Sequence, residues 1–391
     1  MSEETLVQER IDALLVKHDP KATPVEEFLG AQFDLGLAWV HFPEGNGGLG
    51  APFGLQRTVN EQLAAAGATA APMRNPIGFG MGAPTIVTHG TDAQKRRHLR
   101  PLFTGEEMWC QLFSEPGAGS DVGGLSTRAV LDGEEWVVNG QKVWTSLAHL
   151  ARWGILVART NPDVEKHKGL TYFIVDMHQP GVEVRPLRQM TGGAEFNEVY
   201  FTDARVPDTN RVGDVGNGWA VAVTTLMNER VFIGGNTPQR GAGMIAAAVD
   251  LYRARDGVDR ATRDRLMRLW SRAEVLRLTN MRAAENRSKG EPGPEGSIGK
   301  LGSAELNQEI TSLCIDLMGA DGLLYDSYDL DRDNPSARYG DPRVFFLRSR
   351  ANTIEGGTSE VMRNILGERV LGLPGDVRVD RGVPWKDVLR N

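Results

Sequence analysis

"AVLDGEEWVVNGQKVWTS", residues 129–146, is where the chain changes its period. Upstream, apolar residues recur every three to four positions; here β-branched and aromatic residues crowd into short alternating runs. Two turn dipeptides, Asp132-Gly133 and Asn139-Gly140, flank a short strand pattern. Both pairs readily take the positive φ angles of two-residue hairpin turns. "WGILVART" (153–160), "GLTYFIVDM" (169–177), "GVEVRPL" (181–187) and "NEVYFTDARVP" (197–207) continue the series. An antiparallel β domain at about 109–212 follows.

On either side the spacing is helical. In residues 1–108, Val7, Ile11, Leu14 and Leu15 mark one buried helix face, and "HFPEGNGGLGAP" (41–52) is a Gly/Pro-rich loop. Helix returns at Gly216. Leu266, Leu269, Trp270 and Ala273 form one apolar stripe, and Leu306, Ile310, Leu313, Cys314 and Leu317 form another. Long amphipathic helices with short connections predict a helical bundle over 213–372, interrupted by the turn-rich "SKGEPGPEGS" (288–297). Residues 373–391 are expected to form a loosely attached tail. The fold class is α+β: an N-terminal helical domain, a middle antiparallel β domain and a C-terminal four-helix bundle.

Composition narrows the function. Lys+Arg 44 against Asp+Glu 51 gives a net charge of −7 with no basic block, which argues against nucleic acid as the partner. Two cysteines, Cys110 and Cys314, suit neither a disulfide framework nor a metal site, and no histidine pair has ligand spacing. The first residues, MSEETLVQERID, do not resemble a secretory signal, and no apolar run approaches the roughly 20 residues that cross a bilayer. A metal-free, cytoplasmic protein is expected.

Four stretches carry candidate chemistry. "QLFSEPGAGSD" (111–121) ends an apolar strand in a Ser-Glu-Pro turn and runs on through small residues. Its glycines admit a bulky ligand, and Ser114 and Ser120 suit phosphate oxygens, although a plain strand-ending loop has the same composition. Trp144 and Ser146 follow; they offer a flat wall and a hydrogen bond to a planar ring, or else Trp144 is sheet core. "TTLMNERVFIGG" (224–235) reads as helix. With Trp219, Ala222, Val223 and Leu226 as its apolar stripe, Arg230 falls on the stripe axis and Glu229 on its flank. That is either a structural Glu–Arg pair or a cavity-facing carboxylate beside a cation. In "TIEGGTSEVMRN" (353–364), Thr358 or Ser359 caps a helix, and Gly356-Gly357 offers open backbone N–H groups.

Taken in order, "SEPGAGSD", "NGQKVWTS", "FNEVYFTDARVP", "NER" and "GGTSEVMRNILGERVLG" resemble the acyl-CoA dehydrogenase family of flavoproteins over nearly the whole chain. The resemblance implies FAD held between the β domain and the C-terminal bundle. Phe113 and Ser114 then line the flavin, Trp144 flanks it, and Ser146 bonds near its reactive nitrogen. Gly119 and Ser120 belong to the cofactor contacts, Ser120 reaching the phosphate-rich part of FAD or the CoA arm. Thr358 and Glu360 lie near the adenylate half. Asp316 takes the place of a glutamine that contacts a neighbouring subunit's cofactor. The Arg-x-x-Phe-Gly segment of many relatives is missing from "YRARDGVDRATRDRLMRLW" (252–270), where Arg263 or Arg265 would have to substitute.

The reaction so implied converts an acyl-CoA thioester to the trans-2-enoyl-CoA, with an electron-transfer flavoprotein as acceptor and a homodimer, homotetramer or heteromer as the assembly. A carboxylate removes the α-proton while the β-hydrogen passes as hydride to flavin. Aligned on Gly-Thr-Ser, Gly356 occupies the usual base position. In the branch resembling isovaleryl-CoA and long-chain acyl-CoA dehydrogenases, the acid comes instead from the first bundle helix, where this chain has Glu229-Arg230. Glu229 is therefore expected to be the base, with Arg230 beside the substrate and the Gly356 N–H on the thioester oxygen. Glu355, one residue from the usual position, is the alternative. Two other readings stay open: a flavin monooxygenase of the same fold, and a non-catalytic or half-site subunit of a heteromeric dehydrogenase. The base placement suggests a branched, longer or bulky acyl chain.

Overall fold

Helices come first, as the apolar spacing requires. Ser2 caps α1 (Glu3–Lys17) by accepting from the Thr5 amide, and Val7, Ile11 and Leu14 are buried along one face. Next come α2 (Val25–Asp34), α3 (Gln56–Ala65), α4 (Ala71–Arg74), α5 (Ala83–His89) and α6 (Asp92–Thr104). Thr91 and Gln94 start α6 with a reciprocal capping box. The computed structural model describes residues 2–234, 238–257, 259–288, 294–325, 327 and 335–388, apart from the side chains of 230–234, 287, 288, 295 and 335–337.

The strands are β1 (Trp109–Leu112), β2 (Arg128–Asp132), β3 (Glu135–Ser146), β4 (Trp153–Arg159), β5 (Leu170–Asp176), β6 (Val182–Pro186), β7 (Phe196–Pro207) and β8 (Arg211–Val212). They form one sheet in the order β6-β7-β3-β2-β4-β5-β8, with β1 beside β4. Pairing is antiparallel except where β4 meets β1 and, at a single residue pair, β2. The unbroken apolar runs of β4 and β5 have a physical reason: the sheet is covered on both faces. Trp153, Ile155, Val157, Tyr172 and Ile174 join the N-terminal helices in one core. Leu156, Ala158, Phe173 and Val175 join Trp136, Val138, Val199 and Phe201 in another.

One of the two expected hairpin turns is absent. Gly133, at φ +64°, does turn the chain between β2 and β3. Asn139-Gly140 instead lies inside the long β3, at a register shift against β7. Gly140 has φ +152°, and a Cβ there would come within 2.7 Å of the Thr127 Cα. Asn139 exchanges hydrogen bonds with Asp203, whose own φ is +50°. Val138 and Gly140, two apart, pair with Ala204 and Phe201, three apart, so the extra residue is on β7 and the dipeptide lies opposite a bulge instead of making a turn.

The remaining helices are α7 (Gly218–Gly234), α8 (Met244–Ala254), α9 (Arg260–Ser288), α10 (Glu295–Met318), α11 (Pro342–Ser349) and α12 (Ser359–Ile365). The predicted stripes of α9 and α10 are buried with Ile245 and Ala248 of α8, and Trp270 and Ala273 border that core. Part of the turn-rich stretch, 289–293, lies outside the described residues. The chain divides into two units, the boundary falling within α7 between Asn228 and Glu229. The first holds 1–186, 196–228 and 379–391; the second holds 187–195 and 229–378. Among the described residues, no helix is long and apolar enough to cross a membrane.

The expectation of a loose tail is corrected for its last part. Trp385 and Lys386 donate backbone N–H groups to the carbonyls of Val164 and Pro162, at 2.8 and 3.0 Å, so residues 379–388 are strapped to the first unit.

Candidate active site

In the first unit the two flavin-type motifs are in direct contact. The Val143 amide donates to the Ser114 carbonyl at 2.9 Å, which pins the Ser-Glu-Pro turn to β3. Beneath it, the buried Lys142 ammonium donates to the Phe113 carbonyl at 3.0 Å and to Glu115 Oε1 at 2.8 Å. Glu115 also accepts from the amides of Ser126 and Thr127, at 2.6 and 2.8 Å. Burial alone would raise the Glu115 carboxyl, but the Lys142 ammonium and these amides hold it below its ordinary value.

Trp144 is not sheet core. It is 57% exposed, and it stands at φ +61° where β3 slips register against β7 between Lys142 and Thr145. A left-handed tryptophan costs about 1–3 kcal/mol, a strain that packing alone does not explain when the ring faces solvent. Its ring meets Phe196 edge-on at 6.0 Å. Ser146 is half-buried two residues on, and Phe113 is buried edge-on against Tyr172 at 5.9 Å. Gly117 and Gly119 face open space where a Cβ would go, and Ser120 is exposed. A flat ring on a strained bulge, Ser146 two residues on, and an open glycine loop ending in the exposed Ser120 fit the isoalloxazine and phosphates of a flavin nucleotide.

The second unit contains Glu229, Asp316, Glu355, Gly356, Thr358 and Glu360. Glu355 is engaged at both oxygens: Arg348 Nη1 and Nη2 donate at 3.1 and 2.7 Å, and Asn352 Nδ2 at 2.8 Å. Tyr339 lies over the Arg348 guanidinium at 5.9 Å and donates its hydroxyl to Glu195 at 2.5 Å. Gly356 and Gly357 take φ of +61° and +93°. Lys300 of α10 clamps this loop, its Nζ donating to the carbonyls of Asn352 and Gly357 at 2.8 and 2.5 Å. Burial lowers the pKa of Lys300, while the carboxylates of Glu355, Glu360 and Glu229 act the other way. Thr358, of the two candidates, caps α12 by accepting from the Val361 amide at 3.1 Å. Glu360 is exposed in the first turn of that helix, and its pKa is lowered by backbone hydrogen bonding. Asp316 lies apart from this cluster, in an ion pair with Arg265 at 2.5 Å, and Arg263 is exposed.

On α7 the predicted stripe is off by about one residue. The buried face is Gly218, Val221, Ala222 and Thr225. Thr225 Oγ1 meets the hydroxyls of Thr85 and Tyr172 at 2.8 and 3.0 Å. At about 100° per residue, the axis of that face passes within roughly 30° of Glu229. The expected flank position of Glu229 is thus corrected towards the axis, because Val223 and Leu226 are only half-buried while Val221 and Thr225 are buried. Glu229 is half-buried, and the Arg230 side chain lies outside the described residues.

Sequence reasoning missed Lys142, Glu115 and Lys300. Lys142 had a signal: it shares strand parity with Trp136 and Val138, so an inward register demanded a buried acid partner.

Comparison with known proteins agrees with this picture. Models of the N-terminal, middle and C-terminal domains of acyl-CoA dehydrogenase match residues 3–106, 110–204 and 216–371. The chain is 40% identical over 361 residues to acyl-CoA dehydrogenase FadE34 of Mycobacterium tuberculosis, matching 90% of this chain but spanning only 47% of that relative. It is 38% identical to acyl-CoA dehydrogenase IpdE1 of the same organism, over 88% of this chain and 86% of the relative. The ChsE4-ChsE5 complex from Mycobacterium tuberculosis contains a similar fold, with TM-score 0.70 and 29% identity over 95% of this chain and 98% of that one. The chain belongs to the acyl-CoA dehydrogenase family, whose members are FAD-binding oxidoreductases of CoA thioesters.

Proposed function

We propose that this chain catalyses FAD-dependent α,β-dehydrogenation of an acyl-CoA thioester, with Glu229 as the α-proton base. The observation that carries this choice of base is the engagement of Glu355. Arg348 and Asn352 donate to both of its oxygens, so it could reach a substrate only by giving up those hydrogen bonds. Glu229 instead extends the buried face of α7. When bound, FAD supplies the two-electron oxidant that accepts the β-hydride. Phe113, Ser114, Gly119, Ser120, Trp144 and Ser146 hold that cofactor, with Thr358, Glu360 and Asp316 as further contacts.

A thioester α-carbon is a weak acid, so the enolate oxygen needs donors aimed at it. The Gly356 N–H is the proposed donor: among the described residues it meets no acceptor, and Lys300 fixes the loop that presents it. Arg230 contacts substrate in this scheme, and an electron-transfer flavoprotein reoxidises the cofactor. A second reading, a subunit that completes its site only in a heteromer, is favoured by the likeness to a two-component complex.

Purified chain should be yellow and should bleach when titrated without oxygen against a panel of acyl-CoAs. A colourless chain that acquires FAD and activity only on mixing with a second family member favours the heteromer. A FAD-loaded chain that no acyl-CoA bleaches contradicts the dehydrogenase assignment.

A further inference from the structure

The strap at 379–388 lies against the turn that follows the Ser120 loop. Arg159, buried at the end of β4, donates from Nη2 to the Gly123 carbonyl at 2.7 Å and from Nε to the Leu125 carbonyl at 3.1 Å. Trp385 stacks over that guanidinium at 4.3 Å, and its indole N–H donates to the Gly124 carbonyl at 3.1 Å. Three successive carbonyls are thereby engaged by one arginine and one strap residue. The Lys166 ammonium is shared between Asp121, at 2.9 Å, and Asp380 of the strap, at 2.5 Å. Gly382 donates its amide to Glu165 Oε1 at 2.7 Å, and Lys386 pairs with Asp163 at 2.8 Å. The strap therefore holds both the 162–166 loop and the 121–125 turn.

A turn that meets phosphate oxygens must keep its own carbonyls engaged elsewhere, since a free carbonyl beside an anion repels it. The Ala118 carbonyl is held inside its own turn by the Glu115 amide at 3.0 Å, whereas those of Gly123, Gly124 and Leu125 are held from outside by Arg159 and Trp385. We propose that Trp385 and Asp380 are positioning residues for the Ser120–Asp121 turn and set its affinity for a phosphate-bearing ligand, FAD or the CoA arm of the substrate. The inference rests on the dehydrogenase reading for the identity of that ligand.

The test compares Trp385→Ala and Asp380→Asn with the unaltered protein. Amide exchange over 121–126 is followed in FAD-free protein. The Kd for FAD is measured, and the KM for an acyl-CoA is set beside that for the same acyl group on pantetheine, which carries no phosphate. Exchange should speed up, and one affinity should weaken roughly threefold to tenfold, with kcat and the pantetheine KM little changed. A rise in the FAD Kd assigns the turn to the cofactor; a rise confined to the acyl-CoA KM assigns it to CoA. Unchanged exchange and unchanged affinities, with only a lower Tm, would overturn the proposal and leave the strap a simple clamp. Should Trp385→Ala fail to fold, Asp380→Asn and Trp385→Phe decide, the latter keeping a ring over Arg159 without the indole N–H. If the unaltered chain binds no FAD, alone or mixed with a second family member, the dehydrogenase reading fails, while the exchange comparison still judges the strap.

Discussion

At the scale of the residue, surroundings decide which ionisable groups can work. Glu355 was legible as a candidate from its place beside two glycines. Its arrest by Arg348 and Asn352 was not, because Arg348 is on α11 and Glu355 in a turn beyond it, and sequence spacing does not fix the fold-back that joins them. His98 of α6 makes the same point for stability. Its ring is wedged edge-on against Trp109 and Trp153, at 5.3 and 5.0 Å, and among the described residues Nδ1 has no hydrogen-bond partner. Burial, helped by the neighbouring Arg97, pushes its pKa down from 6.5 to about 4. A depressed histidine leaves stability intact above pH 6.5. Between 6.5 and about 4 the unfolded chain takes up a proton that the folded chain refuses, so stability falls by on the order of 3 kcal/mol over that window. Denaturant unfolding at several pH values should show this slope, and His98→Phe should flatten it. An equal slope in both proteins would assign the acid loss to other groups.

At the scale of the element, β3 shows what pattern reading captures. Its strand character, and the nearness of its motif to the Ser-Glu-Pro turn, were both visible in residues 111–146. Its register shifts were not: Asn-Gly is by itself a turn signal, and only pairing with a bulged β7 keeps it inside the strand. The exposed, left-handed Trp144 is a consequence of the second bulge, and no local pattern announces it. Under the strand, Lys142 and Glu115 join the two motifs through a fully buried ion pair. Removing one partner strands the other charge in the core. Lys142→Met should therefore lower unfolding stability by about 3–5 kcal/mol, measured by urea titration, and should weaken FAD retention with it. A loss below about 1 kcal/mol would mean that Glu115 takes up a proton and the pair is dispensable.

At the scale of the whole molecule, the helical–β–helical order was readable because each change of period spans tens of residues. Residues 379–388 escaped, since a strap held by backbone N–H groups and one tryptophan has no periodicity to read. The α7 stripe was misplaced by one position, enough to move Glu229 from its flank towards its axis. That shift bears on the account's central claim, that the proton-abstracting carboxylate comes from α7 and not from the glycine loop. The most direct measurement is exchange of the substrate α-hydrogen with deuterated solvent, followed for Glu229→Gln and Glu355→Gln with FAD content verified in both. Loss of exchange in Glu229→Gln, with exchange retained in Glu355→Gln, is the predicted result; the reverse would contradict it.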